Sequence, residues 1–426
     1  MKLYTLLLRL VLPLALVRLW WRSRPHTHYA PRWGERLGYG PPMVAGSLWV
    51  HAVSVGEVRA AVPLIRALLD EHPDIPLLVT TTTMTGAAQV DMLFGHSVHH
   101  RFAPFDLPGA LKRFLDTTRP RVAVILETEL WPNLFQALSR AGIPLMLANV
   151  RLSERSYRRY RRFRTLTRNM LAVPAVIAVQ SGADAGRLQA LGAPEASLHV
   201  TGNMKFELSP TAGLREAAQA LRYEWGERPV WVAASTHQGE EEIVLDVHVS
   251  LQAIIPTLLL ILVPRHPERF EAVGRLIRQR GLSVVERSLG LPVAPATAVL
   301  FGDTMGELVL FFAAADCAFV GGSLVETGGH NPLEALALGV PTVFGPHMFN
   351  FDEIAKLTLA AGAGVQVHDA SGLALAIEHY LSDPQARSTA GIAGENLVLK
   401  HQGACAQTLK LLEPLFSRPR PSSVNP

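Results

Sequence analysis

The sequence predicts an α/β protein with two doubly wound domains, each a parallel sheet covered by helices. A chain of 426 residues, 49% hydrophobic and 18% charged, can bury more core than one compact domain usually holds. From residue 47 onward, apolar runs of strand length alternate with amphipathic stretches of helix length. The alternation restarts after residues 209–227, which have the pattern of a linker followed by a helix.

Six strands are predicted in each domain. In the first domain, residues 29–208, they cover residues 47–53, 77–81, 122–126, 144–148, 175–179 and 198–201. In the second domain, residues 209–416, they cover residues 229–234, 257–263, 282–286, 298–301, 317–320 and 342–344. Residues 417–426 are expected to be a disordered tail. Ligands of doubly wound sheets bind beyond the carboxyl ends of the strands, so residues that follow strands are the first candidates for chemistry.

The first 28 residues have the pattern of a membrane anchor helix. Residues 3–21 form an apolar run that ends at Trp20 and Trp21 and is followed by arginines, as at a membrane interface. No small-residue cleavage site follows, which is unlike a secretory signal. Arg9 and Arg18 favour a tilted or half-inserted helix, and the flanking positive charge retains the domains on the cytoplasmic side. A buried helix of a soluble protein is the alternative.

Positive charge is concentrated in one stretch, although the formal net charge is only +4. Residues 151–168 carry eight arginines against Glu154 alone, and Tyr157, Tyr160 and Phe163 recur among them at helical spacing. Such a stretch predicts an anionic partner: phosphates, nucleic acid or lipid headgroups. Because no RNA-binding signature accompanies it, we expect no nucleic acid. A solvated helix face with its aromatic side chains packed inward is the alternative.

Charged side chains follow several strands of the first domain. Glu57 lies at the turn after the first strand, as either a general base or an acidic residue of the first helical turn. Glu127 and Glu129 follow the third strand, and alternation along an extended chain puts both on one side, where like charges raise a pKa or bind a cation. At least one of them is alternatively structural. Lys205, after the last strand, is suited to neutralise a phosphate or carboxylate.

The second domain has its own candidates after strands. Arg265 and His266 stand between two prolines, an arrangement suited to hydrogen-bonding a base, a ribose or a phosphate. A later strand is followed by a glycine-bearing turn that offers backbone N–H groups to a nucleotide. In residues 320–335, two glycine doublets precede Pro332, suited to a first helical position, and Glu334, suited to a ribose diol. This last stretch is the strongest local signal.

Six motifs in order along nearly the whole chain resemble one family. They are RWGER at residues 32–36, HAVSVGE at 51–57, ETELWPN at 127–133, GNMKF at 202–206, PRHPER at 264–269 and GGHNPLE at 328–334. Together they resemble the Kdo (3-deoxy-D-manno-octulosonic acid) transferases of the GT-B glycosyltransferase class. The resemblance implies the GT-B fold: two Rossmann-like domains facing across a cleft, behind an N-terminal membrane-anchoring helix.

The resemblance also implies an inverting transfer of Kdo from CMP-Kdo to the lipid A precursor lipid IVA, in lipopolysaccharide inner-core synthesis. It implies that Glu57 is the base that deprotonates the acceptor hydroxyl, and that Glu127 and Lys205 stabilise the transition state. The cytidine nucleotide is then held by Arg265, His266, Gly306, Glu307, Leu308, Asn331, Pro332, Leu333 and Glu334. The partners implied are the donor, the lipid acceptor and an anionic membrane surface. The implied location is the inner membrane, with the catalytic domains on its cytoplasmic side.

We expect neither a cofactor nor a metal ion. No Asp-x-Asp motif and no zinc-ligand spacing of histidines occur in the sequence. A nucleoside monophosphate leaving group also lacks the diphosphate that commonly recruits Mg²⁺.

Three other functions fit parts of the pattern. A GT-B enzyme that uses a UDP-sugar and another lipid-linked acceptor would release UDP rather than CMP. A nicotinamide-dependent oxidoreductase also has doubly wound domains, but no Gly-x-Gly-x-x-Gly turn follows the early strands. A membrane-attached binding protein without catalysis would tolerate the replacement of Glu57.

Overall fold

The computed structural model describes residues 4–13, 32–208 and 213–416, and these form two compact units. The first unit contains the described residues up to Glu207 together with those from Gln402 onward, and the second runs from Leu208 to His401. Each unit has a seven-stranded parallel sheet with apolar clusters on both faces. The predicted pair of doubly wound, Rossmann-like α/β domains is therefore confirmed.

Strands and helices alternate along the first unit. In chain order they are α1 (residues 4–13), α2 (Trp33–Arg36), β1 (Leu48–His51), α3 (Val55–Glu71), β2 (Leu77–Thr81), α4 (Met84–Phe94), β3 (His99–Phe102), α5 (Pro108–Thr118), β4 (Val122–Leu126), α6 (Pro132–Arg140), β5 (Leu145–Val150), α7 (Glu154–Arg161), α8 (Arg164–Leu171), β6 (Val176–Val179), α9 (Gly182–Ala190) and β7 (Leu198–Val200). The sheet order is β3-β2-β1-β4-β5-β6-β7, so the strand order reverses between β1 and β4.

The second unit repeats this plan. Its elements are α10 (Leu214–Trp225), β8 (Val230–Thr236), α11 (Glu240–Gln252), β9 (Leu259–Pro264), α12 (Phe270–Gln279), β10 (Val284–Glu286), β11 (Val299–Phe301), α13 (Leu308–Ala313), β12 (Cys317–Val320), α14 (Leu333–Leu336), β13 (Thr342–Phe344), α15 (Asp352–Ala361), β14 (Gly364–Gln366), α16 (Ala370–Ser382) and α17 (Pro384–His401). The sheet order is β10-β11-β9-β8-β12-β13-β14, and the reversal falls between β8 and β12.

Two edge strands were not predicted. All twelve predicted strands are present, four with the predicted bounds and eight with shifted ends, and β3 and β14 extend the two sheets by one strand each. The sequence of β3 is His-His-Arg-Phe, and β14 begins with glycine, so neither is an apolar run of strand length. Their pairing with β2 and β13 is set by tertiary contacts rather than by local pattern.

The carboxyl-terminal boundary differs from the prediction. The last helix, α18 (Ala404–Phe416), was assigned to the second domain, 209–416, but it packs in the core of the first unit beside α3. The Glu207 carboxylate accepts hydrogen bonds from the N–H groups of Gly403 and Cys405, at 2.7 and 3.0 Å, which satisfies the start of this helix. An amphipathic pattern shows that a helix has a buried face, but not which core it joins.

Only part of the predicted anchor, residues 1–28, is described. Helix α1 hydrogen-bonds to the first unit through the Tyr4 hydroxyl, which donates to Asp106 Oδ2 at 2.9 Å. Its side chains Leu6, Leu7 and Leu10 are more than half exposed. Among residues 4–13, 32–208 and 213–416, no helix is long and apolar enough to cross a membrane. The rest of the predicted anchor and the whole predicted tail, 417–426, lie outside the described residues.

Candidate active site

The first unit places two acidic residues where its strand order reverses. Glu57 lies in the first turn of α3, soon after β1, and Glu127 directly follows β4. Since β1 and β4 are parallel neighbours, their carboxyl ends lie side by side. This is the position at which ligands bind in doubly wound sheets.

The Glu57 carboxylate is buried, with only 8% of the residue exposed. Its Oε2 accepts a hydrogen bond from the Val53 N–H at 2.7 Å, and the Ser54 hydroxyl donates to Oε1 at 3.3 Å. Burial raises the pKa of Glu57 from 4.5 to about 8, against the opposing bond from Val53. The negative charges of Glu127 and Glu129 act in the same direction as burial. Glu57 therefore ties the chain between β1 and α3 to the first turn of its helix, and has a pKa suited to proton acceptance near neutral pH.

The backbone of Glu127 is left-handed, with φ at +58°. Its N–H donates to the Ala148 carbonyl oxygen of β5 at 2.8 Å, which holds the turn in place. The chain is therefore not extended at Glu127. The prediction that alternation along an extended chain puts Glu127 and Glu129 on one side is wrong, because it assumed an extended backbone here. Such a conformation costs a non-glycine residue about 1–3 kcal/mol and is commonly retained at functional sites.

Lys205 pairs with Glu127. The Lys205 Nζ lies 3.3 Å from Glu127 Oε1, and both side chains are about a quarter to a third exposed. Two asparagines shape the Lys205 turn: Asn203 Oδ1 accepts from the Lys205 N–H and Asn149 Oδ1 accepts from the Met204 N–H, both at 3.0 Å. The sequence interpretation missed Asn149, and its position directly after the predicted strand 144–148 is the signal that could have found it. Its φ of +57° is left-handed, a conformation that asparagine tolerates.

A third acidic residue, Glu129, is held by contacts with Trp131 and His51 near these carboxylates. Glu129 Oε2 accepts from the Trp131 indole N–H at 2.7 Å, and burial raises the pKa of Glu129. The Trp131 ring contacts the His51 ring edge to face, with 5.0 Å between centroids. Burial lowers the pKa of His51 to about 4, so its imidazole is neutral, and Nδ1 lies 2.8 Å from the Thr80 hydroxyl. These contacts fix the Trp131 ring beside Glu129.

In the second unit, the chain after β9 meets the chain after β8. The Arg265 N–H, directly after β9, donates to the Thr236 carbonyl oxygen at the end of β8, at 3.0 Å. The His237 ring contacts the His266 ring edge to face, with 5.2 Å between centroids. The predicted pair Arg265 and His266 is thus joined by His237, to which the sequence interpretation gave no role. Its position at the turn after β8 is the signal that could have found it.

His330 completes an imidazole cluster. Its ring lies edge to edge with that of His237 and nearly in the same plane, with an interplanar angle of 9°, 5.1 Å between centroids and 2.9 Å between the two Nε2 atoms. Burial, together with the nearby charge of Arg265, lowers the pKa of His330 to about 3. Burial also lowers the pKa of His237. One N–H is therefore shared between two neutral rings, next to a permanent positive charge on Arg265.

The predicted turn at Gly306, Glu307 and Leu308 follows β11, which neighbours β9 in the sheet. Glu307 makes a two-nitrogen contact with Arg287, with Nη2 2.7 Å and Nε 3.1 Å from Oε1, and this bond lowers its pKa. The side chain of Glu307 is thus already paired within the protein. Gly306 has φ at +89°, so the turn can approach a ligand through its backbone.

The predicted residues Asn331 to Glu334 surround the start of α14. Asn331 Oδ1 accepts from the Leu333 N–H at 3.2 Å, which caps this short helix. Pro332 directly follows the capping Asn331 and has helical dihedral angles, φ −81° and ψ −14°, as the prediction of a first helical position expects. Pro332 and Leu333 are buried, whereas Asn331 and Glu334 are half-buried and have surface that a ligand can contact.

Within the part of the chain that the structure describes, no group of three or more His, Cys, Asp or Glu side chains is arranged to hold a metal ion.

Comparison with known proteins gives the class and then the family. Residues 31–208 match the family model described as 3-deoxy-D-manno-octulosonic-acid transferase (kdotransferase), and residues 283–397 match glycosyl transferases group 1. The chain is 41% identical over 423 residues to the 3-deoxy-D-manno-octulosonic acid transferase of Haemophilus influenzae, covering 97% of this chain and 98% of the relative. It is 38% identical over 428 residues to the Bordetella pertussis enzyme of the same name, covering 96% and 98%.

A solved structure shows the same fold at low identity. The UDP-GlcNAc 2-epimerase from Neisseria meningitidis bound to UDP-GlcNAc has a TM-score of 0.59 at 13% identity, covering 86% of this chain and 100% of that chain. With the family matches, the fold and site define a glycosyltransferase of two α/β units. The chain belongs to the Kdo transferase family.

Proposed function

We propose that this enzyme transfers Kdo from CMP-Kdo to the lipid A precursor lipid IVA, with inversion at the anomeric carbon. The observation that carries the proposal is the buried Glu57 beside the Glu127–Lys205 pair, at the switch point of the first sheet. Relatives that match nearly the whole chain are named as Kdo transferases. A UDP-sugar donor is the alternative.

In the proposed reaction, Glu57 takes the proton from the acceptor hydroxyl as its oxygen attacks the anomeric carbon. The bond between that carbon and the phosphate oxygen breaks, and CMP leaves with the electron pair. A single displacement of this kind needs one base and inverts the configuration. The sugar gains positive charge in the transition state, which the Glu127 carboxylate stabilises, while Lys205 neutralises the negative charge that develops on the leaving side.

The donor is assigned to the second unit. Arg265 supplies a permanent charge and a planar set of N–H donors for the CMP phosphate, and His266 lies beside it. The backbone of the Gly306 turn and the carboxylate of Glu334 are suited to the base and the ribose diol. We propose that no metal ion is needed, because cationic side chains can neutralise a monophosphate leaving group.

The acceptor is assigned to the first unit, at the outer face of α7. An open surface cavity of about 500 Å³ lies there, lined by Arg155, Arg158, Arg159 and Arg162 together with Glu154 and Ser156. This helix is close enough to the catalytic edge for the charge of Glu129 to raise the pKa of Tyr160, after the larger effect of burial. An acceptor that carries two phosphates matches this positive charge.

The enzyme is also proposed to work at the cytoplasmic face of the inner membrane. The outer arginines of α7 and the exposed leucines of α1 form a cationic and an apolar surface on the same unit. Both are suited to an interface with anionic lipid headgroups.

The direct test supplies the intact protein with CMP-Kdo generated in situ and a tetraacylated disaccharide bisphosphate. We expect a glycolipid one Kdo heavier per CMP released, by mass spectrometry and nucleotide chromatography, and the same rate with EDTA. Reactions without acceptor control for donor hydrolysis. Transfer from a UDP-sugar but not from CMP-Kdo would contradict the proposal, and loss of activity in EDTA would contradict its metal-free form.

A further inference from the structure

A carboxylate without a role in the mechanism above lies fully buried at the second switch point. Glu240 opens α11 and has no exposed surface. Its Oε2 accepts from the N–H groups of His237 at 2.9 Å and Gly322 at 2.6 Å. Its Oε1 accepts from the N–H groups of Ser323 and Leu324, both at 2.9 Å. One side chain thus joins the loop after β8 to the loop after β12.

The three N–H groups of Gly322, Ser323 and Leu324 form a concave anion site. Successive backbone N–H groups of this kind bind phosphate in many nucleotide-binding loops. Here the Glu240 carboxylate fills the site from inside the protein. A donor phosphate therefore cannot use these three N–H groups, which agrees with its assignment to Arg265.

The two loops also interlock through their backbones. A Cβ atom on Gly321 would lie 2.7 Å from the Ser235 carbonyl oxygen, so only glycine fits at this contact. The Gly329 N–H donates to the Gly322 carbonyl oxygen at 2.6 Å, which turns the loop back on itself. This return places His330 against His237, where their Nε2 atoms are 2.9 Å apart. The four hydrogen bonds that Glu240 accepts therefore fix the backbone of the two loops that carry His237 and His330.

We infer that Glu240 is a positioning residue for donor binding, an internal anion that holds the loops carrying His237 and His330 in their binding arrangement. The inference rests on the proposed donor site of the second unit. Glu240 touches no substrate in this account. It acts through the loop backbone, because its charge satisfies four N–H groups that would otherwise repel one another or bind a different anion.

The test replaces Glu240 in the intact enzyme. Glu240→Gln keeps the size of the side chain but removes its charge and turns an amide NH₂ toward N–H donors. We expect the KM for CMP-Kdo and the dissociation constant of CMP to rise about tenfold or more, with the acceptor KM within about twofold of wild type. Glu240→Asp keeps the negative charge on a shorter side chain, so we expect a smaller rise in the KM for CMP-Kdo and in the dissociation constant of CMP. If the glutamine variant does not fold, the aspartate variant tests the inference instead.

Asp316→Asn is the matched control. Asp316 also accepts a backbone N–H, that of Val230 at 2.8 Å, but it precedes β12 and lies at the amino ends of β8 and β12, whereas Glu240 lies at their carboxyl ends. We expect its replacement to lower the melting temperature without changing the donor KM. Folded Glu240 variants with a wild-type donor KM would overturn the inference while leaving the proposed function intact. A wild-type enzyme that neither binds CMP nor uses CMP-Kdo would overturn both.

Discussion

Glu57 shows how one carboxylate can serve local structure and chemistry together. Its hydrogen bonds from the Val53 N–H and the Ser54 hydroxyl hold the chain between β1 and α3, and its charge lies in the first turn of α3, where an acidic residue is favourable. Its burial distinguishes it from an ordinary acidic residue of a first helical turn, because burial raises the pKa of Glu57 to about 8. The sequence left the general-base and first-turn interpretations open, and the structure contains the features of both.

The raised pKa predicts the pH dependence of transfer. A base must be ionised, so kcat/KM should rise with pH and level off above an inflection near pH 8. Because the charge of Glu129 helps to raise this pKa, Glu129→Gln should shift the inflection to lower pH. Asp116→Asn, on the exposed face of α5, should leave the inflection unchanged. An inflection at the ordinary glutamate value in the wild-type enzyme would contradict the prediction.

Residues of the site were predictable where they follow an apolar strand. The candidates Glu57, Glu127, Lys205 and Arg265 were predicted in this way, and each follows a strand in the structure; their roles stay predictions. The left-handed backbone of Glu127 was not predictable, because it depends on a hydrogen bond to Ala148 in another strand. Non-local contacts of this kind leave no mark in the local sequence.

Helix α7 combines the two interpretations of the arginine-rich stretch. Tyr157 and Tyr160 pack against the core of the first unit, as the solvated-face interpretation expected. Phe163, just after the helix, is 63% exposed, and the arginines line the outer cavity. The element thus has an inner face that holds it to the sheet and an outer face with a strong positive charge.

Removing charge from α7 tests its outer face. Arg155→Gln with Arg162→Gln should raise the acceptor KM about tenfold or more and weaken binding to vesicles that contain phosphatidylglycerol, since each arginine near an anionic surface contributes about 1 kcal/mol. The donor KM should not change. The matched control is Arg275→Gln with Arg278→Gln, on α12 of the second unit. Equal effects of the two double variants on the acceptor KM would contradict a specific role for α7.

At the scale of the whole molecule, two sheets of the same topology carry different chemistry at equivalent positions. The first unit has carboxylates and a lysine at its switch point, and the second has an arginine, imidazoles and an internal carboxylate. The proposed reaction divides accordingly into acceptor activation by the first unit and donor binding by the second. The family matches also make the oxidoreductase alternative wrong, since they identify a glycosyltransferase.

The division of the chain into two units was predictable, but the return of the last helix, α18, to the first unit was not. The restart of the strand pattern marks the boundary near residue 208, beside the observed division after Glu207. The return of α18 depends on the burial of Leu409, Leu412 and Leu415 in the core of the first unit. Any amphipathic helix could bury such a face against either sheet, so the sequence pattern alone does not decide between them.

The central claim is that Glu57 is the base, and Glu57→Gln tests it most directly. With CMP-Kdo and the tetraacylated acceptor, we expect transfer to fall about 10²–10⁴-fold, because glutamine cannot accept the proton. The dissociation constant of CMP should stay at the wild-type value. The variant should also stay folded. Because the pKa of Glu57 is 4.5 in the unfolded chain and about 8 in the folded one, this carboxyl lowers the free energy of unfolding as pH rises from 4.5 to about 8. A glutamine does not ionise and therefore lacks this cost.

Asp70→Asn, at the exposed end of the same helix, should keep wild-type activity. A folded Glu57→Gln enzyme that binds CMP normally and has lost transfer is the predicted result. A folded variant that still transfers Kdo at a rate near that of wild type would show that another group accepts the proton, and the account of the site would be wrong.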